Sequence, residues 1–329
     1  MHSAEVLEDL IFQTENPVER YALDVFAFQY RENAVYREFC DHLGRTPGAV
    51  KSVRHIPFLP VELFKTHRVS AFPAKKAPLT FRSSGTTGQI PSQHHVQVPA
   101  LYEKAYREGF HRFYGDPKDY RILALLPGYL ERSDSSLVHM VAGLIADSGH
   151  PDGGFFLDDI DRLRALLQKP ESRTTLLIGV SFALLDLAES TPLSLQNTVV
   201  METGGMKGRR REITRAELHE RLKSGLGVDT VHSEYGMTEL LSQAYAKNAG
   251  RFATPPWMQL QIRDVNDPLS PSPEGRSGAI NVVDLANLYS SSFIATSDLG
   301  RTLADGTVEV LGRTDFSDVR GCNLMVSDL

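Results

Sequence analysis

The stretch Thr175–Glu202, TLLIGVSFALLDLAESTPLSLQNTVVME, decides the fold. Thr175–Val180 is a compact apolar and β-branched run of strand length, and Thr198–Glu202 is another. Between them Phe182–Ala188 follows helical spacing, and a Thr-Pro turn breaks the pattern before the second run. Strand, helix and strand in this order argue for parallel strands with the helix packed over them.

Outward from this unit the alternation continues. Ile122–Leu126 and Val228–His232 read as further strands, and Ser136–Ala146, Asp158–Leu167 and Ile213–Leu222 as helices. The last contains Thr214-Arg-Ala-Glu217, a capping-box pattern, and Ser133–Ser136 reads most simply as an N-cap cluster. The expected class is α/β, a mostly parallel sheet covered by helices. Beyond the Pro/Ser-rich stretch Asp267–Gly275, the runs Ala279–Val283, Ser292–Ala295 and Thr307–Leu311 lack intervening helices and predict a small antiparallel β subdomain. Toward the N-terminus, Val6, Leu7, Leu10 and Ile11 follow Ser3 at helical spacing. Asn16-Pro17 reads as a second helix start, with Leu23, Phe26, Ala27 and Tyr30 as its apolar stripe. The expected division is an N-terminal helical segment over 1–75, an α/β core over 76–255, the β subdomain over 256–311 and a tail over 312–329.

Composition narrows the function classes. The 329 residues hold 41 acidic and 35 basic groups, a formal charge of −6 that gives no basic face for nucleic acid. Two cysteines, Cys40 and Cys322, exclude a disulfide framework and a cysteine-based zinc cluster. No apolar run approaches the ~20 residues of a membrane helix, and the start lacks a basic segment before an apolar one. A reducing, cytoplasmic setting is expected.

Five stretches carry chemistry. Phe81-Arg-Ser-Ser-Gly-Thr-Thr-Gly-Gln-Ile-Pro91 interleaves four hydroxyls with two glycines, so backbone N–H groups and hydroxyls can surround a phosphate. It is not a Walker loop, since no Gly-Lys-Ser/Thr follows; in isolation it also reads as a surface turn. Tyr235-Gly-Met-Thr-Glu239 sets a hydroxyl and a carboxylate after a strand, where open α/β sheets bind ligands and a carboxylate can hold Mg2+; the plain alternative is a helix cap. Met201–Gly208, Thr296–Arg301 and Gly312–Asp315 are weaker, each reading alone as a turn or cap.

Their order resembles that of the adenylate-forming superfamily, which holds acyl-CoA synthetases, adenylation domains and luciferases. Thr203–Lys207, Pro255–Met258 and Pro127–Arg132 are similar to the acyl-protein synthetases of bacterial bioluminescence, the LuxE family. Gly275–Gly278 through Asp284, Leu285 and Asn287 resemble phenylacetate-CoA ligases. The likeness covers the chain from about Pro57 onward. It implies an adenylation-type large domain that activates a carboxylic acid, a fatty acid by family likeness, with ATP and Mg2+ and passes the acyl group to a thiol. By the same resemblance Ser83, Ser84, Gly85, Thr86, Thr87 and Gly88 grip the β- and γ-phosphates, Thr238 touches the α-phosphate and Glu239 holds Mg2+. Gly204 and Gly205 face the adenine edge, Tyr235 stacks on its ring, and Asp298 with Arg313 binds the ribose of ATP or AMP.

Two features depart from the superfamily pattern. Its members carry a small mobile domain with a lysine that stabilises adenylation, and no lysine follows Lys247 here. Losing a cation aimed at developing charge costs about 10²–10³-fold in rate, so either adenylation is slow or another group, such as Lys207 or a partner subunit, completes it. Cys322, beside Arg320, matches the near-terminal cysteine on which bioluminescence synthetases carry the acyl group; an ordinary apolar residue in a terminal strand is the alternative. An acyl-carrier, synthase or reductase protein is the expected partner, and the basic run Arg209–Arg211 is either a solvated face or its dock. A CoA ligase and a non-catalytic nucleotide- or acyl-binding scaffold are the competing functions. His94-His95 reads as plain strand residues, with metal ligation as an alternative that lacks a third ligand at nearby spacing; His232 reads as a core histidine or one that lines the pocket, and Cys40 as core packing.

Overall fold

The computed structural model describes residues 2–73, 77–84, 90–127, 132–190, 192–204, 211, 213–273 and 275–313. A six-stranded sheet has the order β5 (Gly154–Phe155), β4 (Tyr120–Leu125), β6 (Thr174–Val180), β7 (Thr198–Thr203), β8 (Val231–Tyr235) and β9 (Ala244–Ala246). Its strands are parallel except β9, which turns back on β8. Leu176, Leu177 and Ile178 of β6 are buried, as a strand covered on both faces requires. The sequence expectation of a parallel α/β sheet is borne out.

The crossover helices are α6 (Ser136–Ser148), α7 (Ile160–Gln168), α8 (Ser181–Ser190) and α9 (Arg215–Leu226). Ser135 and Thr214 cap α6 and α9 through their side chains, accepting from Val138 N and Glu217 N. The strand expected over 228–232 begins instead at Val231. Gly227 closes α9 with φ +66°, and the Val228 N–H bonds back to Lys223 O, so Val228 belongs to the helix terminus.

A second six-stranded sheet has five strands in antiparallel order, β10 (Arg251–Phe252), β14 (Val308–Arg313), β13 (Phe293–Thr302), β12 (Gly278–Asp284) and β11 (Met258–Arg263). The strand expected over 292–295 extends to Thr302, so Asp298 sits inside a strand rather than a turn. The amino-terminal third wraps onto this sheet. β1 (Leu59–Pro60) pairs in parallel with β13. Helices α1 (Ala4–Gln13), α2 (Pro17–Glu32) and α3 (Ala34–His42) precede it; Ser3 caps α1 through its side chain, whereas Asn16 makes no side-chain cap bond to α2. The buried Gln29 of α2 donates to Asn287 O, Leu288 O and Ser292 Oγ and accepts from Ser292 N, all within 3.0 Å. The short α4 (Leu63–Thr66) then leads to a hairpin of β2 (Leu79–Arg82) and β3 (Gln93–Val96), followed by α5 (Pro99–Tyr114). The hairpin carries the Ser/Thr/Gly stretch at its tip.

Candidate active site

The site lies where β8 ends. No helix follows Tyr235: Leu240 N bonds back to Met237 O, and the chain reverses into β9. Thr238 and Glu239 therefore sit on a turn and cap nothing. Two buried residues hold that turn, Asp284 at the end of β12 and Asn287 in the connection from β12 to β13. Asp284 accepts from Leu241 N at 2.8 Å, Ser242 N at 3.0 Å and Ser242 Oγ at 2.6 Å. Asn287 donates through Nδ2 to Glu239 O at 2.7 Å and Ser291 O at 2.8 Å.

Those two bonds fix the Asn287 amide, so its Oδ1 must face the His94 ring, 3.0 Å from Nε2. The other ring nitrogen, Nδ1, lies 2.9 Å from Thr238 O. His94 thus stands between two acceptors. Burial drives its pKa down to about 4, against the pull of both hydrogen bonds, so the ring is neutral near pH 7 and satisfies one acceptor at a time. A rotation-locked buried ring is a strut between β3, the Thr238–Glu239 turn and Asn287.

The Glu239 carboxyl is buried and pushed up by that burial, with the Ser92 hydroxyl bonding to it and opposing the rise. Ser92 also closes the hairpin loop, since its N–H donates to Ser83 Oγ at 2.9 Å while Ser83 N donates to Ser92 O. The base of the Ser/Thr/Gly loop is therefore set against Glu239. Ser83 is partly buried and Ser84 exposed; Gly85, Thr86, Thr87 and Gly88 lie outside the described residues.

On the other side of the turn, Tyr235 donates to Asp298 Oδ2 at 2.7 Å, and Arg313 Nε donates to Oδ1 at 3.2 Å. Asp298 and Arg313 face each other in the β13–β14 register. Burial keeps the Tyr235 phenol far above its ordinary pKa, so it is a permanent donor. Its ring packs at 5.9 Å against Phe252. Gly204 follows β7 with φ +69°, exposed, and its carbonyl accepts from Ser181 Oγ. Gly205, Lys207 and Cys322 lie outside the described residues, as do Arg209 and Arg210.

The roles of four polar residues are not readable from the sequence: His94 as more than a strand residue, Asp284 and Asn287 as more than parts of a resemblance, and Glu234. The Glu234 carboxyl is raised to about 7 by burial, opposed by the Thr203 hydroxyl bond and aided by nearby Glu202. A Cβ on Gly236 would meet its Oε1 at 2.5 Å, so a larger residue there must displace the Glu234 carboxyl. Glu202 accepts from Ser181, Arg215 and His219 and is held ionised despite its burial. As the sequence predicts, Cys40 is a core thiol, pushed to about 12, and His232 is a satisfied core histidine on Tyr114.

The His150–Asp152–Glu171 cluster has ligand-like spacing. Its atoms are already committed: His150 Nε2 to Glu171, His150 Nδ1 to Asp152 N, and Asp152 to Lys169, with Arg121 3.9 Å from Glu171. Two cations beside it oppose a metal.

Known proteins match this chain in sequence and in fold. The family described as acyl-protein synthetase, LuxE, matches residues 3–99, so the likeness extends into the N-terminal helices. A long-chain-fatty-acid–luciferin-component ligase of Vibrio harveyi is 21% identical, over 98% of this chain and 93% of that protein. Among solved structures, ATP-bound MatB from Rhodopseudomonas palustris superposes with a TM-score of 0.54 at 19% identity, covering 72% of this chain. The chain spans about half of MatB, 48% of its length. A 2-hydroxyisobutyryl-CoA ligase bound to its acyl adenylate and CoA gives 0.66 at 13% identity, over 92% of this chain and 70% of that one. The fold is that of the adenylate-forming enzymes' large domain.

Proposed function

We propose that this chain is an ATP-dependent acyl-activating ligase of the acyl-protein synthetase kind, taking a fatty acid to its acyl adenylate and then to a thioester. The observation that carries the reading is that Ser83 and Ser92 on one side, and the Asp298–Arg313 pair on the other, meet the stretch Tyr235–Glu239. In the first step an oxygen of the substrate carboxylate bonds to the α-phosphorus of ATP, the bond to the bridging oxygen breaks, and pyrophosphate leaves. In the second a thiolate adds to the acyl carbonyl carbon and AMP leaves with the electron pair.

The chain's own residues position and neutralise. Asp298 keeps lone pairs free beyond those used by Tyr235 and Arg313, and so can accept both ribose hydroxyls. A buried carboxyl whose ionisation is opposed by burial fits a cation, and Glu239 would hold Mg2+, which supplies positive charge against phosphate oxygens. Thr238 would donate its hydroxyl to the α-phosphate, and the Ser83–Gly88 loop would enclose the phosphate tail. Gly204 and Gly205 would border the adenine. Cys322 is the proposed acyl acceptor, with an acyl-carrier, synthase or reductase protein as the onward partner. Among the described residues no helix is long and apolar enough to cross a membrane.

Incubation with ATP, Mg2+ and a panel of fatty acids, followed by hydroxylamine, tests the reading: an acyl hydroxamate is expected. Folded protein that yields none from any acid would overturn it. A label on the protein that disappears in Cys322→Ser while hydroxamate persists supports the acceptor; CoA thioester formed with no labelled protein supports a CoA ligase instead.

A further inference from the structure

The connection from β12 to β13 is irregular backbone held inside the molecule. Asn287, Leu288, Ser290, Ser291 and Ser292 are all buried. Connections normally run over the surface, where water satisfies their carbonyls, and a buried one needs a partner for each. Here the partners share a source. The carbonyls of Asn287 and Leu288 accept from Gln29 Nε2 at 3.0 and 2.8 Å. That of Tyr289 accepts from Ala71 N at 2.9 Å, and that of Ser290 from Asn33 Nδ2 at 3.0 Å. Four consecutive carbonyls are thus taken by residues of the amino-terminal third.

Gln29 makes the most of these bonds. Its amide spans the connection, since Nε2 also reaches Ser292 Oγ at 3.0 Å and Oε1 accepts from Ser292 N at 3.0 Å. One buried side chain therefore closes both ends of the stretch 287–292. The Ser290 hydroxyl adds a bond to Val69 O at 2.9 Å, and the Tyr289 ring meets Phe28 of α2 edge-on at 5.9 Å.

The same stretch reaches the candidate site. Asn287, whose carbonyl Gln29 holds, is the residue whose side chain donates to Glu239 O and bonds the His94 ring. A single residue therefore separates Gln29 from the turn: the Gln29 amide fixes the Asn287 backbone, and the Asn287 side chain fixes Glu239. Helix α1 bears on the turn by a second route. Phe12 packs at 4.7 Å on Trp257, whose Nε1 donates to Ser242 Oγ at 2.9 Å, and that hydroxyl donates to Asp284.

We propose that Gln29 is a positioning residue for the Thr238–Glu239 turn, acting through Asn287, and that α2 braces the turn from outside the site. This rests on the adenylation reading for its catalytic consequence, though not for its structural one. With Glu239 as the residue that holds Mg2+, a turn released from Asn287 presents its carboxylate over a wider range of positions, and the ion is bound more weakly.

Deuterium uptake of the full chain, read by mass spectrometry, tests the brace without calling on activity. Gln29→Met keeps the volume and removes the amide. In it the backbone N–H groups over 238–243 are expected to take up deuterium about 10-fold faster than in the wild type, the scale of one lost hydrogen bond, while those of β6 keep their rate. Gln29→Glu should fall between, because a buried acid takes up a proton and restores one donor. If Gln29→Met fails to fold, Gln29→Glu carries the comparison. Unchanged uptake over 238–243, or a rise shared equally by β6, would overturn the brace. The Mg2+ concentration for half-maximal ATP–pyrophosphate exchange should rise about 5-fold in Gln29→Met, whereas a smaller folded fraction lowers the maximal rate and leaves that concentration where it is. A loosened turn with wild-type Mg2+ dependence would overturn the positioning role. Faster uptake at the turn in a protein that forms no hydroxamate leaves the brace standing and removes the adenylation reading. Hydroxamate formation with wild-type uptake at the turn in the variants removes the brace alone.

Discussion

The hydroxyl of Tyr235 and the carboxylate of Asp298, 63 residues apart, meet at 2.7 Å across the junction of the two sheets. Tyr235 ends the parallel sheet, and Asp298 lies in the antiparallel one. Removing that hydroxyl leaves Asp298 held by Arg313 alone. Tyr235→Phe is expected to raise KM for ATP about 10-fold in acid-dependent ATP–pyrophosphate exchange, about 1.4 kcal/mol, near the lower end for a hydrogen bond to a charged group. Its kcat should change little, because the ribose is bound alike before and during reaction. Asp298→Ala should cost more in KM.

His94 separates into its two nitrogens by substitution. Asparagine places an amide donor near Nδ1, within reach of Thr238 O, whereas glutamine reaches toward Nε2 and Asn287. His94→Asn is expected to retain most exchange activity and His94→Gln to lose about 10-fold, with His94→Phe below both. Equal activity in all three, at equal melting temperature, would show that the strut does not aim Thr238 and Glu239.

The same ring predicts an acid response. A histidine whose folded pKa is about 4 instead of about 6.5 binds its proton more readily unfolded. Its contribution to stability is present above pH 6.5 and is lost as pH falls toward 4, on the order of 3 kcal/mol over the window. Urea unfolding from pH 7 to 4.5 should show a shallower loss in His94→Asn than in the wild type.

Glu234 gives the opposite slope. Its carboxyl is raised to about 7 in the fold, so its stabilising share is present below pH 4.5 and is lost as pH rises through 7. Glu234→Gln should therefore gain stability over the wild type as pH is raised from 5 to 8. A difference that does not change across that range would contradict the buried neutral carboxyl.

The glycine two residues on is constrained by the same carboxyl. Gly236→Ala would bring a methyl group to 2.5 Å from Glu234 Oε1. A loss of about 1–3 kcal/mol in urea unfolding is expected, together with weaker exchange as the turn shifts.

What the sequence shows and what it hides follow from range. Capping at Ser135 and Thr214 and the buried β6 strand are local, and spacing reveals them. The Ser/Thr/Gly loop and Tyr235–Glu239 are legible because phosphate and metal chemistry needs hydroxyls, glycines and a carboxylate close together in the chain. His94 was unreadable as a strut because its partners are 144 and 193 residues away. Asp284 and Asn287 were noticed only as parts of a resemblance, since nothing local shows that they hold a turn more than 40 residues upstream. Asp298 looked like a turn residue because Ser-Asp-Leu-Gly reads as a turn, whereas pairing with β14 extends the strand through it.

The central claim is that the substrate carboxylate attacks the α-phosphorus of ATP. A fatty acid carrying 18O in both carboxylate oxygens, turned over with ATP and Mg2+, places this on one mass measurement. AMP that has gained one 18O atom is expected, with unlabelled pyrophosphate as co-product. AMP without label, or ADP in its place, would contradict it.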